Sequence, residues 1–580
     1  MELPQAGTRP EPDFGDQLRG IDSPGIPVAA LVLVRDRLSP RGGADSPSRS
    51  DFLAINSFAL GAPIERVDVV GPVAILETSP GPRGATQEGR WAILIAATAV
   101  LLSSGPRLFL YLTTPGDRVF LGQVWGVYDI PRYVLLIRQA AGGAWLFDNR
   151  LQGPSHTSFL LYTPYILLGH LLGWTGMSPL AMMEAGRWIA MPSALAASWL
   201  FIRRALPPGQ RALGYFAAVL AGGLGLLVLA SRPMTLLGPV VPLDITGPSF
   251  TVMNSLNMAP HVAVAVACLA LFGWGLLAAS EGEWRGLLGG AALAGVATFH
   301  SFVVPMALIA GGVFFLWRAR RREVFVLLVI ATLASVPFGF YQLSLSTSFN
   351  VSWQQDYAEL ENLPSLLLSR ALLWPFIAMG AWAALRDPGR RPGPSLALCW
   401  AASALAFDLF PPFAQTELHR TVEGSSLAYG VLAAPGLLRL PGRIRTYLVA
   451  ATLIAPVLGA GLLLLGGPYQ RESYLPVDYL SLAQRLDRDG ETRCVIGTDL
   501  TMLWVTALSR SCDAESNSSH VPALLRGLAS AATPQEAANG FPQLDDLVVW
   551  GQFESEYGPV PSTLRIVARS GRLLLLASGP

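Results

Sequence analysis

The sequence predicts an α-helical polytopic membrane protein, with about eleven transmembrane helices and a small extracytoplasmic α/β domain at its C-terminal end. Three observations carry this prediction. Of the 580 residues, 52% are hydrophobic and only 14% are charged. A chain this long needs more charge than that to cover itself against water, so much of its surface must face lipid. Between residues 91 and 466, apolar runs recur near the ~20 residues a bilayer requires. Arginine gathers between alternate runs, as it does on the cytoplasmic side of membrane proteins.

Residues 1–90 are rich in Pro, Gly, Ser and Arg and lack sustained periodicity, which predicts a disordered cytoplasmic extension. The expected spans are 91–112, 184–203, 212–230, 260–280, 285–300, 302–317, 324–343, 364–386, 395–411, 424–440 and 446–466. Basic clusters fall at Arg203, Arg204 and Arg211, at Arg285, and from Arg318 to Arg322. They recur at Arg386, Arg390 and Arg391, and at Arg443 and Arg445. With all of these cytoplasmic, the spans alternate, the N-terminus lies inside and the C-terminal domain outside. The apolar run 157–174 must then not cross, which predicts a re-entrant or juxtamembrane helix. The outer side receives a long first loop, 113–183, and shorter loops at 231–259, 344–363 and 412–423.

After the last span, residues 467–580 read as a separate unit. Tyr479–Leu486 has a helical pattern, Cys494–Ile496 and Leu547–Trp550 read as strands, and Leu564–Leu576 reads as a terminal hairpin. Cys494 and Cys512 lie here, in an expected oxidising compartment. A disulfide between them is one option that spacing alone does not decide.

Composition also excludes. A formal net charge of +1 gives no field for nucleic acid. No lysine occurs, so every cationic side chain of fixed charge is arginine, which suits bidentate phosphate binding. The four cysteines form no CxxC and no zinc pattern. There is no Walker A, no strand–GxGxxG–helix and no GxSxG motif.

Polar residues in so apolar a chain mark candidate chemistry. In the first outer loop, Asp129 follows an aromatic and glycine-rich stretch, and Tyr133 comes one helical turn later. Asp148 closes the Gly142–Trp145 turn. A carboxylate held at the membrane surface suits general-base work on a hydroxyl. The competing role for Asp129 is a helix N-cap ahead of Pro131. Asp244 lies in the second outer loop, as a second acid or as an ordinary turn residue. His261 and His300 fall at expected outer helix ends, where structural and ligand-contacting roles compete. The stretch Gln415-Thr-Glu417-Leu-His419-Arg420 is a polar patch beside a span, and polar groups at membrane depth are costly. Arg420 is the first candidate for holding a phosphate. Arg187, with Glu184 one turn away, is the second. Trp353, Asp356, Tyr357 and Glu359 suit either sugar recognition or an interfacial belt.

Asp129-Ile-Pro-Arg-Tyr133, Gly142-Gly-Ala-Trp145, Tyr162-Thr-Pro-Tyr165 and Arg187…Pro192-Ser193-Ala194 together resemble the GT-C superfamily of membrane glycosyltransferases. The protein mannosyltransferases and aminoarabinose transferases are the nearest types. Two positions depart from that pattern. Ile130 stands where the family often has Glu, and Gly153-Pro154-Ser155-His156 replaces a Lys- or His-Pro-Pro. The resemblance implies an inverting transfer of a sugar from a polyprenyl-phosphate donor to an acceptor outside the membrane, with Asp129 as base. It implies Asp244 as a second acid, orienting the acceptor or sharing a divalent cation with Asp129. A non-catalytic envelope-assembly protein of the same architecture is one alternative. A lipid or polysaccharide transporter is another, against which stand the missing internal repeat and the scarcity of mid-membrane charge.

Overall fold

The computed structural model describes residues 82–122, 129–149, 158–160, 162–231, 234–235, 238–239, 243–246, 250–348, 363–387, 391–409, 423–465, 473–488 and parts of 494–578. Gly153–His156, Trp353, Asp356, Tyr357, Glu359, Gln415, Glu417, His419 and Arg420 lie outside the described residues, as do residues 1–81.

The expected spans are helical over most of their described residues. Helix α1 (Pro82–Leu112) leads to strand β1 (Arg118–Phe120), then to α2 (Ile130–Ala141) and α3 (Thr163–Leu172). Next come α4 (Pro179–Ala205), α5 (Arg211–Val219) and α6 (Gly225–Ser231). Strands β2 (Met234–Thr235) and β3 (Gly238–Pro239) and the short helices α7 (Leu243–Thr246) and α8 (Val252–Asn257) lead to α9 (Pro260–Ser280). The bundle continues with α10 (Leu287–Ala297), α11 (Val303–Trp317), α12 (Arg322–Ser348) and α13 (Leu363–Ser369). It ends with α14 (Trp374–Arg386), α15 (Pro392–Leu409), α16 (Ser425–Arg439) and α17 (Gly442–Leu465).

Two expected runs are broken helices, and α1 starts earlier than expected. Run 212–230 splits into α5 and α6, where the backbone N–H groups of Gly223 and Gly225 turn onto the Asp244 carboxylate at 2.7 and 3.2 Å. Run 364–386 splits into α13 and α14 at the fully buried Arg370. Helix α1 begins at Pro82 because Glu88 accepts from the Gly209 N–H and pairs with Arg211, 3.5 Å away, which secures the added turns.

Among the described residues, Gln87–Leu112, Pro260–Ser280, Arg322–Tyr341 and Gly442–Leu464 are long and apolar enough to cross a bilayer. Val303–Trp317 and Pro392–Phe407 are shorter apolar helices. Leu101 on α1, Leu333 and Phe340 on α12, and Tyr447 on α17 are exposed, an arrangement that lipid satisfies and water does not. Helix α3 and its 3₁₀ extension meet α4 at 116°. A bend that large turns α3 back across the end of the bundle instead of prolonging α4.

Small residues bring the central helices together. Gly275 on α9 and Gly289 on α10 abut so closely that a Cβ at either would strike the other's backbone, and Gly273 lies against Phe201 and Trp400. At the end of α9 where Ser280 lies, Arg204 bridges to Glu281 at 2.5 Å and to Glu283 at 2.7 Å, and Arg322 lies over Trp284. Hydrogen bonds from Arg285 and Arg204 hold the partly exposed Glu283 carboxyl down at about 2. This is the arginine-rich end of the molecule; the candidate site lies at the other end of α9.

Strand β4 (Tyr474–Pro476) pairs antiparallel with β1, tying the first long loop to the chain beyond α17. Helix α18 (Val477–Arg488) follows. Strands β5 (Cys494–Ile496), β6 (Cys512–Asp513), β7 (Leu547–Trp550), β8 (Leu564–Ser570) and β9 (Leu573–Ser578) form one sheet in the order β6-β5-β7-β9-β8. β5 runs parallel to β6 and β7, and the β8–β9 hairpin adds antiparallel. The parallel register sets Cys494 opposite Cys512.

Candidate functional site

Helix α2 positions Asp129. Its apolar positions Ile130, Tyr133, Val134 and Ile137 recur at helical spacing and are buried, so the helix lies flat on α3 and α4. Each such side chain contributes roughly 1.5–3 kcal/mol by leaving water. Close approach of the backbones is needed too. Gly169 of α3 meets the Ile137 carbonyl and Ala140, and Gly173 meets Ala141. Pro131 starts the helix. Asp129 occupies the N-cap position but makes no capping hydrogen bond with its side chain. That side chain is 39% exposed, and its Oδ1 lies 3.8 Å from the Arg132 guanidinium. The capping role weighed for Asp129 is therefore absent, and the carboxylate faces outward beside a cation.

Behind it lies a buried aromatic stack. Tyr133 stacks on Tyr165 with centroids 4.6 Å apart, and Tyr162 meets it edge-on at 5.3 Å. Burial pushes the Tyr133 phenol well above its ordinary range, and Asp129 adds to the shift, so the hydroxyl stays protonated. The Tyr165 hydroxyl is hydrogen-bonded to His261 Nδ1 at 2.9 Å. The His261 ring lies 5.7 Å from that of His300, whose Nε2 meets Glu423 in a pair only 2–3% exposed. The chain thus joins residues from α2, α3, the start of α9, the α10–α11 turn and Glu423, two residues before α16.

A second buried cluster flanks the first. Arg187 of α4 is 1% exposed and Arg107 of α1 is 7% exposed. One Arg187 nitrogen donates to the Gly122 carbonyl and to Glu184, while Nε and Nη2 have no partner among the described residues. Arg107 donates to the Leu256 carbonyl at 3.0 Å, and its Nη1 likewise has no partner among them. Two guanidiniums with three unsatisfied nitrogens face one partly exposed carboxylate. Buried charge left so under-compensated marks a place for an anion. Tyr165 lies within the fields of both Arg187 and Asp129, which links the two clusters.

The structure therefore brings Asp129, Tyr133, Arg187, His261 and His300 to one end of the bundle. Asp148 sits elsewhere, beyond the opposite end of α2. Asp244 is 1% exposed and directed at the amides that open α6. Amide donors neutralise an anion and do not suit a cation ligand, and among the described residues no group of three His, Cys, Asp or Glu is placed to hold a metal. Sequence reasoning passed over Arg107, Arg132 and Glu423. Arg107 is a cation inside an expected span, and the cost argument applied to Arg420 would have found it. Glu423 lies just three residues beyond that polar patch. Arg132 carried no signal beyond its place in the quoted stretch.

The described helices form a polytopic bundle, four of whose helices are long and apolar enough to cross a membrane, and its fold is similar to that of a solved oligosaccharyltransferase. No protein-family model and no curated protein matches the chain. Among solved structures it is similar to the Archaeoglobus fulgidus oligosaccharyltransferase in complex with Zn and sulfate, at 12% identity and a TM-score of 0.50, over 80% of this chain and 68% of that one. ArnT from Cupriavidus metallidurans in the apo state aligns over 85% of this chain and all of its own, at 14% identity and a TM-score of 0.47. The same protein bound to undecaprenyl phosphate aligns at 15% identity and a TM-score of 0.44, over 84% of this chain and 99% of its own. At such identities the likeness is one of fold.

Proposed function

We propose that the protein is a membrane glycosyltransferase that moves a sugar from a polyprenyl-phosphate donor to an acceptor hydroxyl outside the membrane. The observation that carries this reading is Asp129. It is a partly exposed carboxylate beside Arg132, with no capping hydrogen bond from its side chain, at the head of a helix fixed on a buried aromatic base, and the buried Arg107 and Arg187 lie at the same end of the bundle. Asp129 takes the acceptor's hydroxyl proton, the freed oxygen attacks the anomeric carbon, and the bond from that carbon to the phosphate oxygen breaks with inversion. The polyprenyl phosphate leaves with the electron pair. Arg132 and the Arg107–Arg187 pair stabilise the charge that develops there. Tyr133, His261 and His300 hold the head of α2 in place. Asp244 anchors the α5–α6 break, and no step runs through a metal.

One observation favours the non-catalytic alternative: Ile130, where the GT-C pattern often has a second acid, is fully buried in the core. Reconstitution decides between them. The purified chain in proteoliposomes, given radiolabelled polyprenyl-phosphate hexoses and pentoses together with a cell-envelope extract as the source of acceptor, should release polyprenyl phosphate. If no donor of the panel is consumed, the assembly-protein reading is the better one.

A further inference from the structure

Beyond the far end of α2 from Asp129, the chain builds a groove that the transfer chemistry does not use. Its volume is about 790 Å³, and Arg138, Gln139, Trp145, Asp148, Ser158 and Ser509 line it. It runs between the first long loop and the segment carrying the C-terminal sheet. The walls are mixed: Leu135 and Leu146 share the lining with these polar groups, and one aromatic ring stands among them.

That ring is fixed. Gln139 brackets the backbone of Asp148, its Nε2 donating to the carbonyl at 2.7 Å and its Oε1 accepting from the N–H at 2.9 Å. Phe147 and Phe159 exchange two backbone hydrogen bonds, at 2.7 and 3.0 Å, and their rings meet edge-on. Gly143, at φ +97°, makes the tight turn out of α2 that begins the loop. Trp145 stacks one face on His170 with centroids 4.0 Å apart, yet remains 60% exposed. An indole held this firmly while still open is arranged for a ligand, because its ordering cost is already met in the free protein. Carboxylate, guanidinium and hydroxyl groups beside an indole and two leucines suit a sugar ring, which carries hydroxyls on its edge and C–H groups on its faces.

We infer that this groove is a saccharide-binding subsite, and that it holds the distal part of an oligosaccharide acceptor. The second half of that statement rests on the transferase reading. Ten residues of α2 separate Asp129 from Gln139, about 15 Å at the rise of an α-helix. A monosaccharide does not span that distance, and a chain of several sugars does.

The test uses the full chain in nanodiscs, with ladders of glucose, mannose, galactose and arabinose oligomers from monosaccharide to hexasaccharide. At least one ladder should bind, more tightly with length. Trp145→Ala should weaken that binding about tenfold or more, the usual effect of truncating a buried tryptophan anchor, and Trp145→Tyr should restore most of it. In transfer assays Trp145→Ala should raise KM for long acceptors and leave that for short ones unchanged. The binding measurement needs neither donor nor transfer, so a failure of the transferase reading leaves the binding result intact. The subsite is refuted if no ladder binds above empty nanodiscs, or if Trp145→Ala binds every ladder as the wild type does.

Discussion

Arg187 makes the sharpest case at the scale of single residues. It donates to the Gly122 carbonyl and to Glu184, yet two of its nitrogens are buried without a partner among the described residues. If an anion completes it, Arg187→Met should abolish donor binding with only a small change in melting temperature, because the Glu184 carboxylate left behind is 35% exposed and is solvated by water. A fall in melting temperature that tracks the loss of binding would make Arg187 structural. Glu423 belongs to the opposite type. It faces His300 in a closed, buried pair, so Glu423→Gln should destabilise the protein by roughly 3–5 kcal/mol. Replacing both, as His300→Phe with Glu423→Leu, should cost less than the single change, as measured by thermal unfolding in detergent. These roles were unevenly legible in the sequence. Asp129, His261 and His300 stand out as polar residues at the ends of apolar runs. Which of them meet is set by helices far apart in the chain. His300 finds Glu423 across 123 positions, and no local pattern encodes that.

At the scale of elements, the apolar runs announced nearly every helix, because a lipid-facing helix must be apolar along its whole length. The breaks were hidden. Run 212–230 reads as continuous, but Gly222, Gly223 and Gly225 let the chain wrap the carboxylate of Asp244, which comes later in the sequence. The α2–α3 packing was hidden in the same way. Gly169 and Gly173 look like ordinary apolar-helix residues, and their role appears once α3 lies on α2. Gly169→Val should force the two helices apart, costing about 1–3 kcal/mol as overpacking does. Since α2 carries Asp129, transfer should fall further than stability does, which a melting curve and a transfer assay on the same preparation would reveal. Cys494 and Cys512, placed opposite each other by the register of β5 and β6, should yield a linked peptide in non-reducing mass spectrometry of protein from an oxidising compartment. Two free thiols there would leave the sheet held by its hydrogen bonds and packing.

For the whole molecule, the organisation separates two ends. Arg204, Arg285, Arg321 and Arg322 cluster with Glu281, Glu283 and Trp284 at one end of α9, and the tyrosine–histidine stack occupies the other. With the arginine-rich end in the cytoplasm, as the positive-inside tendency requires, the loop that bears Asp129 and the strand that pairs with it both lie outside. Reporters fused after Trp174 and after Gly467 should then both report the outer compartment. A cytosolic signal from either would separate β1 from its partner β4 and dismantle the site. If Asp129 removes the acceptor's proton, transfer of radiolabelled sugar from a polyprenyl-phosphate donor should separate the wild type from Asp129→Asn in one set of proteoliposomes. The variant should lose at least about a hundredfold in rate with donor binding retained, the usual scale of general-base catalysis. Equal rates from the two proteins would remove Asp129 from the chemistry.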